Sequence, residues 1–506
     1  MVYSRLTTLA GVLALMGLVI AGSAVASGVA TSATSATMGM DDARHLLART
    51  GFGPTLNEIK TYAALTREQG VARVLAVVPA IAPAVATSAP PAWVQDALRP
   101  PRELRNLSVE DRRAYLQQQL RQSFELRAWW INEMRVTPSP LAERMTLFWH
   151  NHFTSSQQKV RYARLMYRQN VLLREHALGN FATLLHAVSK DPAMIIYLDS
   201  ATNRKDKPNE NFAREVMELF TLGEGNYTEA DIREAARAFT GWSLEQDTME
   251  FRNRPFLHDS GDKTVLGQRG RFDGDDVLDI LLAQPKAAEY IVGKMWREFV
   301  SPEPESVEVR RIAATFRDSR YDIRAALREL LLSAAFWKEA NRAVLVKSPV
   351  EFVVGSLRQF DMSADDVASL AMVMAGLGQN LFAPPNVKGW PGGEAWINSA
   401  TLLARKQVIE RLFRTEESLR PAFASIPMTG AAQRQQRPLL LAGARRAPLN
   451  LPLFESQRWF TGFSGERDPA VERVLLAAAP ANPVPAELSR REWVRHLAMD
   501  PVYQLK

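Results

Sequence analysis

The stretch PNENFAREVMELF, residues 208–220, shows the periodicity that decides the fold. At about 100° per residue, its charged side chains Glu210, Arg214 and Glu218 fall on one side of a helix in steps of four. The large apolar side chains of the opposite stripe are Phe212, Val216, Leu219 and Phe220. The segment therefore predicts an amphipathic helix with one buried face.

Similar patterns recur along the chain, so we predict a mainly α, multi-helix globular fold. A capping-box pattern at Ser108 predicts a long helix over 109–135. Residues 348–351 combine an N-cap serine, a proline at the first helical position and a glutamate at the third. Strand-like alternation occurs only over 249–267, where 260–262 are the predicted turn of one small β-hairpin.

The composition is that of an ordinary globular protein. The 506 residues are 46% hydrophobic and 23% charged, which excludes a disordered or fibrous chain. A formal net charge of +7 spread over this length does not indicate a nucleic-acid partner. The absence of cysteine excludes disulfides, thiolate metal sites and a cysteine nucleophile. The remaining chemistry is that of histidine, carboxylate and hydroxyl groups.

The N-terminus has the features of a secretory signal. A basic residue, Arg5, precedes an apolar stretch over 9–21 and the small residues 24–26. The apolar stretch is shorter than the roughly 20 residues that a membrane span needs, and no later stretch is long enough. We therefore expect cleavage after Ala26 and a periplasmic or secreted protein without a transmembrane span in its mature form.

The rest of the chain divides by composition. Residues 27–40 are predicted to be a flexible spacer, and 41–415 a helical domain. A Pro/Ala-rich loop at 79–101 interrupts this domain. Residues 416–506 are Pro- and Arg-rich and are expected to form a C-terminal extension.

Two histidines near the end of a predicted helix are candidate metal ligands. In RMTLFWHNHF, residues 144–153, His150 and His152 point about 200° apart if both are helical. They can hold one divalent metal only if His152 has left the helix. The alternative is two histidines in a last turn, where the helix dipole and free carbonyls favour them.

The first quoted helix carries a candidate acid–base pair. Glu215 lies at the border of the apolar stripe and within one turn of Glu218. Burial there would raise the pKa of a carboxyl group and suit it to proton transfer or metal ligation. A solvated ion-pair face explains Glu210 and Arg214 without any function.

A third candidate lies in the predicted hairpin. In HDSGDKTVLG, residues 258–267, His258 could act as a base that Asp259 orients. The alternative is that Asp259 and Lys263 form an ion pair that closes the turn.

The loop PPNVKGWPGGEAW, residues 384–396, is too rigid and too aromatic for a linker. Trp390 or Trp396 could stack on a sugar ring of a ligand, or both could pack into the core.

Taken in order, these motifs resemble the bacterial family catalogued as domain of unknown function 1800. The resemblance covers about 40–413 and departs from the family pattern at Ser200, where an asparagine is expected. The segments that carry it are 144–145, 148–153, 191–194, 197–199, 208–242, 258–267, 347–349 and 384–396. The resemblance implies an exported bacterial protein, often encoded beside a member of the domain of unknown function 1501 family, which is similar to sulfatases. It implies no reaction.

Two classes of function follow. The first is a hydrolase-like enzyme of the cell envelope in which His150, His152, Glu215, Glu218 and His258 converge, with or without a metal. We predict in particular that Glu215 and at least one of these histidines line the same pocket. The second is a non-catalytic helical scaffold or binding protein that works with an envelope partner of the domain of unknown function 1501 family. An enzyme requires these side chains around one cleft, whereas a scaffold does not.

Overall fold

A computed structural model of the protein describes residues 36–76, 86–363, 367–414 and 452–506. The predicted signal peptide lies outside the described residues, as do most of the spacer, part of the Pro/Ala-rich loop and the first part of the predicted extension.

The described residues form 23 α-helices and four short strands. The helices that precede the strands are α1 (Gly39–Thr50), α2 (Leu56–Ala63), α3 (Arg67–Leu75), α4 (Pro101–Arg105), α5 (Val109–Val136), α6 (Pro140–His152), α7 (Gln157–Val160), α8 (Ala163–Glu175), α9 (Phe181–Ser189), α10 (Pro192–Tyr197), α11 (Asn211–Glu215) and α12 (Glu229–Ala238). The strands are β1 (Trp242–Leu244), β2 (Phe251–Asn253), β3 (Lys263–Val265) and β4 (Gln268–Gly270). The helices that follow the strands are α13 (Gly274–Ala283), α14 (Pro285–Phe299), α15 (Ser306–Asp318), α16 (Ile323–Leu332), α17 (Ala334–Trp337), α18 (Pro349–Gln359), α19 (Val367–Gly376), α20 (Ser399–Leu412), α21 (Ser456–Phe460), α22 (Ala470–Leu475) and α23 (Arg490–Met499). The predicted mainly α fold is confirmed.

The strands form two small antiparallel sheets in the described residues. β1 pairs with β2, and β3 pairs with β4. The turn of the second hairpin lies at Leu266 and Gly267, so the prediction of a turn at 260–262 was wrong. Both turn residues have positive φ, 48° and 80°, as a two-residue hairpin with the native twist requires.

Two hydrophobic clusters form the core, and α6 contributes to both. Met145 and Trp149 are fully buried in the first cluster, which also contains apolar residues of α9 and α11–α16. Leu147 belongs to the second cluster, together with residues of α5, α18, α19 and α20. α6 is therefore a central helix, with neighbours on several sides.

The residues 452–506 are packed into the second cluster. Trp459, Trp493 and Tyr503 are buried there. The hydroxyl groups of Tyr503 and Ser356 lie 2.8 Å apart, and Trp459 Nε1 donates to Gln359 O at 2.7 Å. These residues thus belong to the same compact unit as the preceding helices and do not form the separate extension that their composition suggested.

Two adjacent charged residues are buried in α6. Glu143 accepts from Arg174 of α8, with a distance of 3.0 Å from Nη2, and from Trp130 Nε1 of α5, also at 3.0 Å. The side chains of Glu143 and Arg174 are each only 2% exposed.

Arg144, the next residue, forms ion pairs with Glu298 of α14 and Glu351 of α18. Arg144 is 2% exposed and Glu351 is 5% exposed. Because buried charges need partners, these contacts join α6 to α5, α8, α14 and α18.

Arg174→Met should therefore be strongly destabilising. It leaves the Glu143 carboxylate buried without its cation, which costs about 3–5 kcal/mol. Arg168→Met is the matched control on the same helix, because Arg168 pairs with Glu250 at the surface. Arg168→Met should lower the free energy of unfolding, measured by chemical denaturation, by less than about 1 kcal/mol. Equal losses of unfolding free energy in Arg174→Met and Arg168→Met would contradict the stabilising role of the buried pair Glu143–Arg174.

Candidate functional site

α11 continues into a π-helical turn, Val216–Thr221. Leu222 N donates to Met217 O at 2.9 Å, five residues back, and Thr221 Oγ1 donates to Val216 O. Such turns are rare and often occur at functional sites. The predicted single helix is thus widened at the point where Glu218 lies.

The carboxyl groups of Glu215 and Glu218 lie close enough at this turn for their charges to interact. Glu215 is half-buried, and burial followed by the charge of Glu218 raises its pKa above the ordinary value. Glu218 Oε2 accepts from Tyr227 OH at 3.0 Å, and Lys388 Nζ lies 4.0 Å from Glu218 Oε1. Burial and this hydrogen bond raise the pKa of Tyr227, so its phenol remains a proton donor. The arrangement holds two carboxyl groups with a phenol and an ammonium group nearby.

His152 is hydrogen-bonded to the backbone of the same π-helical turn. Its Nε2 lies 3.1 Å from Phe220 O, and its Nδ1 accepts from Lys294 Nζ of α14 at 2.8 Å. Burial and the charge of Lys294 lower the pKa of His152 well below the ordinary value. Burial and then Arg297 lower the pKa of Lys294 to about 8. The neutral imidazole therefore donates to Phe220 and accepts from Lys294, which links α6, α14 and the π-helical turn.

The loop 384–396 lies against the end of α6. Asn151 Oδ1 accepts from Trp390 N at 2.7 Å. Gly389 has φ of 86°, and a Cβ at this position would collide with Asn151. This close approach places Lys388 beside Glu218. Three of the motifs quoted above therefore come together at one place.

His150 lies in different surroundings from His152. Its ring packs against those of Trp130, Phe382 and Trp390, with centroid distances of 5.3, 5.3 and 5.6 Å. Neither ring nitrogen has a hydrogen-bond partner among the described residues, and burial lowers the pKa of His150 to about 3. The two histidines do not share a site. In the described ranges, no three His, Asp or Glu side chains are grouped so that they could hold a metal ion.

The two tryptophans of the loop are core residues. Trp390 is 4% exposed and Trp396 is 6% exposed, and both belong to the second hydrophobic cluster. The rings therefore have no open face for a sugar, as the core alternative expects.

His258 and Asp259 do not form the expected base and orienting residue. His258 Nδ1 lies 2.9 Å from Thr240 O, whereas Asp259 pairs with Arg237 of α12 at 2.7 Å. Lys263 Nζ donates to the backbone oxygen of Asp259 and makes no ion pair with its carboxylate. The carboxylate is thus occupied by a cation 22 residues away, which the local spacing could not indicate. His258 lines a separate cavity of about 320 Å³.

Sequence reasoning missed Tyr227 and Lys294. The sequence carries no clear signal for Lys294, because the positions three and four residues after it in α14 hold the charged Arg297 and Glu298.

The sequence profile described as Protein of unknown function (DUF1800) matches residues 45–505. The chain belongs to this family. The match continues past 413, the limit of the resemblance given above, which agrees with the packing of the C-terminal residues. No curated protein and no solved structure matches this DUF1800 chain. Within the described ranges, none of its helices has the length and apolarity to cross a membrane.

Replacing each histidine of α6 by leucine should have different effects on the stability of the protein. His152→Leu leaves Lys294 without its buried acceptor. The free energy of unfolding, measured by chemical denaturation, should therefore fall by about 2 kcal/mol. His150→Leu removes a ring whose nitrogens have no partner, so the free energy of unfolding should be unchanged or higher. A large loss of stability for His150→Leu, together with a zinc-dependent rise in the melting temperature of the native protein that this variant lacks, would instead support the metal hypothesis.

Proposed function

We propose that this DUF1800 protein is an exported protein of the cell envelope that performs hydrolase-like acid–base chemistry at Glu215 and Glu218. The observation that carries the proposal is the half-buried Glu215 carboxyl group at the end of α11, near Glu218 of the π-helical turn, whose carboxylate accepts from Tyr227 and lies 4.0 Å from Lys388 Nζ.

The two carboxyl groups have different surroundings, which suits them to different roles. The raised pKa of Glu215 lets it keep a proton closer to neutral pH and donate it to a leaving group. Glu218, beside Lys388, accepts a proton from the attacking water. In such a hydrolysis the water hydroxyl adds to the substrate, one proton passes to Glu218, and the proton of Glu215 leaves with the departing group.

Lys294 and His152 act as positioning residues in this proposal. They hold the carbonyl of Phe220 and thereby the π-helical turn that carries Glu218. The proposal assigns no step to a metal.

A scaffold that works with an envelope partner of the domain of unknown function 1501 family is the alternative. It is favoured by the first turns of α5, where Val109 is 78% exposed and Leu116 is 52% exposed. A scaffold would not need a proton on Glu215.

Glu215→Gln tests the catalytic proposal, because it keeps the side-chain volume but cannot donate or accept the same proton. A cell-based complementation assay should show loss of function, while the melting temperature stays within a few degrees. Glu210→Gln is the matched control, since Glu210 lies one turn earlier in an exposed pair with Arg214 and should retain function.

If Glu215→Gln retains function in the complementation assay, the catalytic proposal is contradicted and the scaffold hypothesis is favoured. A large fall in melting temperature with a proportionate loss of protein would show that Glu215 is a structural residue instead.

Export is the second part of the proposal and rests on Arg5, the apolar stretch 9–21 and the small residues 24–26. N-terminal sequencing of protein from the periplasm or medium should find a start at or near Ser27. Ala26→Arg should retain the precursor, because signal peptidase requires a small residue at this position. Intact Met1 on soluble cytoplasmic protein would contradict export.

A further inference from the structure

Six basic side chains are buried in one region formed by α1, α6, α18, α20 and the last residues of the chain. They are each 6% exposed or less. The six are Arg44, Arg49, Arg144, Lys347, Arg405 and Lys506. Lys347 belongs to the Lys-Ser-Pro motif at 347–349, which the proposed chemistry does not use.

The region contains more positive than negative charge. Among the described residues, the ion pairs of these six involve only Glu351 and Glu298. Glu351 pairs with both Arg144 and Lys506, and Glu298 pairs with Arg144. The ion pairs of these six basic side chains therefore use two carboxylates, and Asp41 of α1 adds a third negative charge near Arg44.

Two of the other cations contact only neutral acceptors. Arg49 donates to the backbone oxygens of Phe299, Val300 and Asn341. Arg405 donates to Gln504 Oε1 and to a backbone oxygen. These hydrogen bonds satisfy donors but do not cancel charge.

Arg44 and Lys347 have no such partners. Neither side chain makes a hydrogen bond or ion pair with a described residue, and Arg44 Nε and Nη2 are buried without an acceptor. Lys347 Nζ lies 4.0 Å from the ring centre of Tyr503. Burial and then the charge of Arg44 lower the pKa of Lys347 well below its ordinary value. Burial thus disfavours the charged form of Lys347, and an anion beside its Nζ would favour that form again.

Both side chains line one small cavity. Gly51, Gly53, Glu351, Gln359 and Lys506 also border it. Its volume of about 10 Å³ is close to the space that a single water-sized particle needs. A polyatomic anion such as phosphate or sulfate does not fit this space.

We propose that this cavity binds one halide ion, chloride under ordinary conditions, between Arg44 and Lys347. The ion supplies negative charge beside Arg44 and Lys347, which form no ion pair with a described residue. Since the cavity exists only in the folded chain, the halide binds the native state and stabilises it.

The first test uses the purified full-length chain at constant ionic strength. Replacing sodium gluconate by sodium chloride should raise the melting temperature along a saturating curve by about 2 °C or more. Crystals grown or soaked in bromide should show an anomalous scattering peak beside Arg44 and Lys347.

Lys347→Met tests whether the chloride-dependent rise in melting temperature comes from this cavity, because the substitution removes the amine but keeps a long side chain. This variant should lose the chloride response. Lys286→Met is the control, since Lys286 lies 50% exposed at the start of α14 and its removal should leave the response intact.

Equal melting temperatures of the native protein in chloride and gluconate would overturn the proposal. A rise that never saturates, or bromide peaks only at the surface, would overturn it as well. If Lys347→Met does not fold, the two measurements on the native protein decide the question by themselves.

Discussion

The burial of two opposite charges side by side on α6 is the constraint on which the rest of the structure depends. Glu143 meets Arg174 and Trp130, while Arg144 meets Glu298 and Glu351. Apolar packing alone tolerates many rotations of a buried helix, but each of these contacts is directional. Together they fix how four helices surround α6, and they thereby fix where its C-terminal end points.

The helical elements were predictable because their signals are local. Ser108 accepts from Asp111 N at the start of α5, and Ser348 forms a capping box with Glu351 at the start of α18, as their spacing indicates. Other features had no local signal: α7 and α8 are separated at Arg161, which adopts φ of 62°. A hydrophobic pattern with a period of 3.6 residues does not indicate such a break between helices.

The candidate site was only partly predictable. The position of Glu215 at the edge of the apolar stripe follows from its register in the helix, and the structure finds it half-buried. The π-helical turn could not be read from a pattern that assumes α-helical spacing. Lys294 and Asp259 show the second limit, because their partners His152 and Arg237 are 142 and 22 residues away. Only the tertiary fold brings such pairs together.

The packing of 452–506 into the second hydrophobic cluster has a consequence for the order of folding. A ribosome releases the chain from its N-terminus, so α5 and α18 emerge long before Trp459, Trp493 and Tyr503. Until those rings arrive, the apolar surfaces that they cover are open to water and to other chains. The nascent protein therefore needs protection from aggregation until synthesis is nearly complete, and its two clusters should mature at different times.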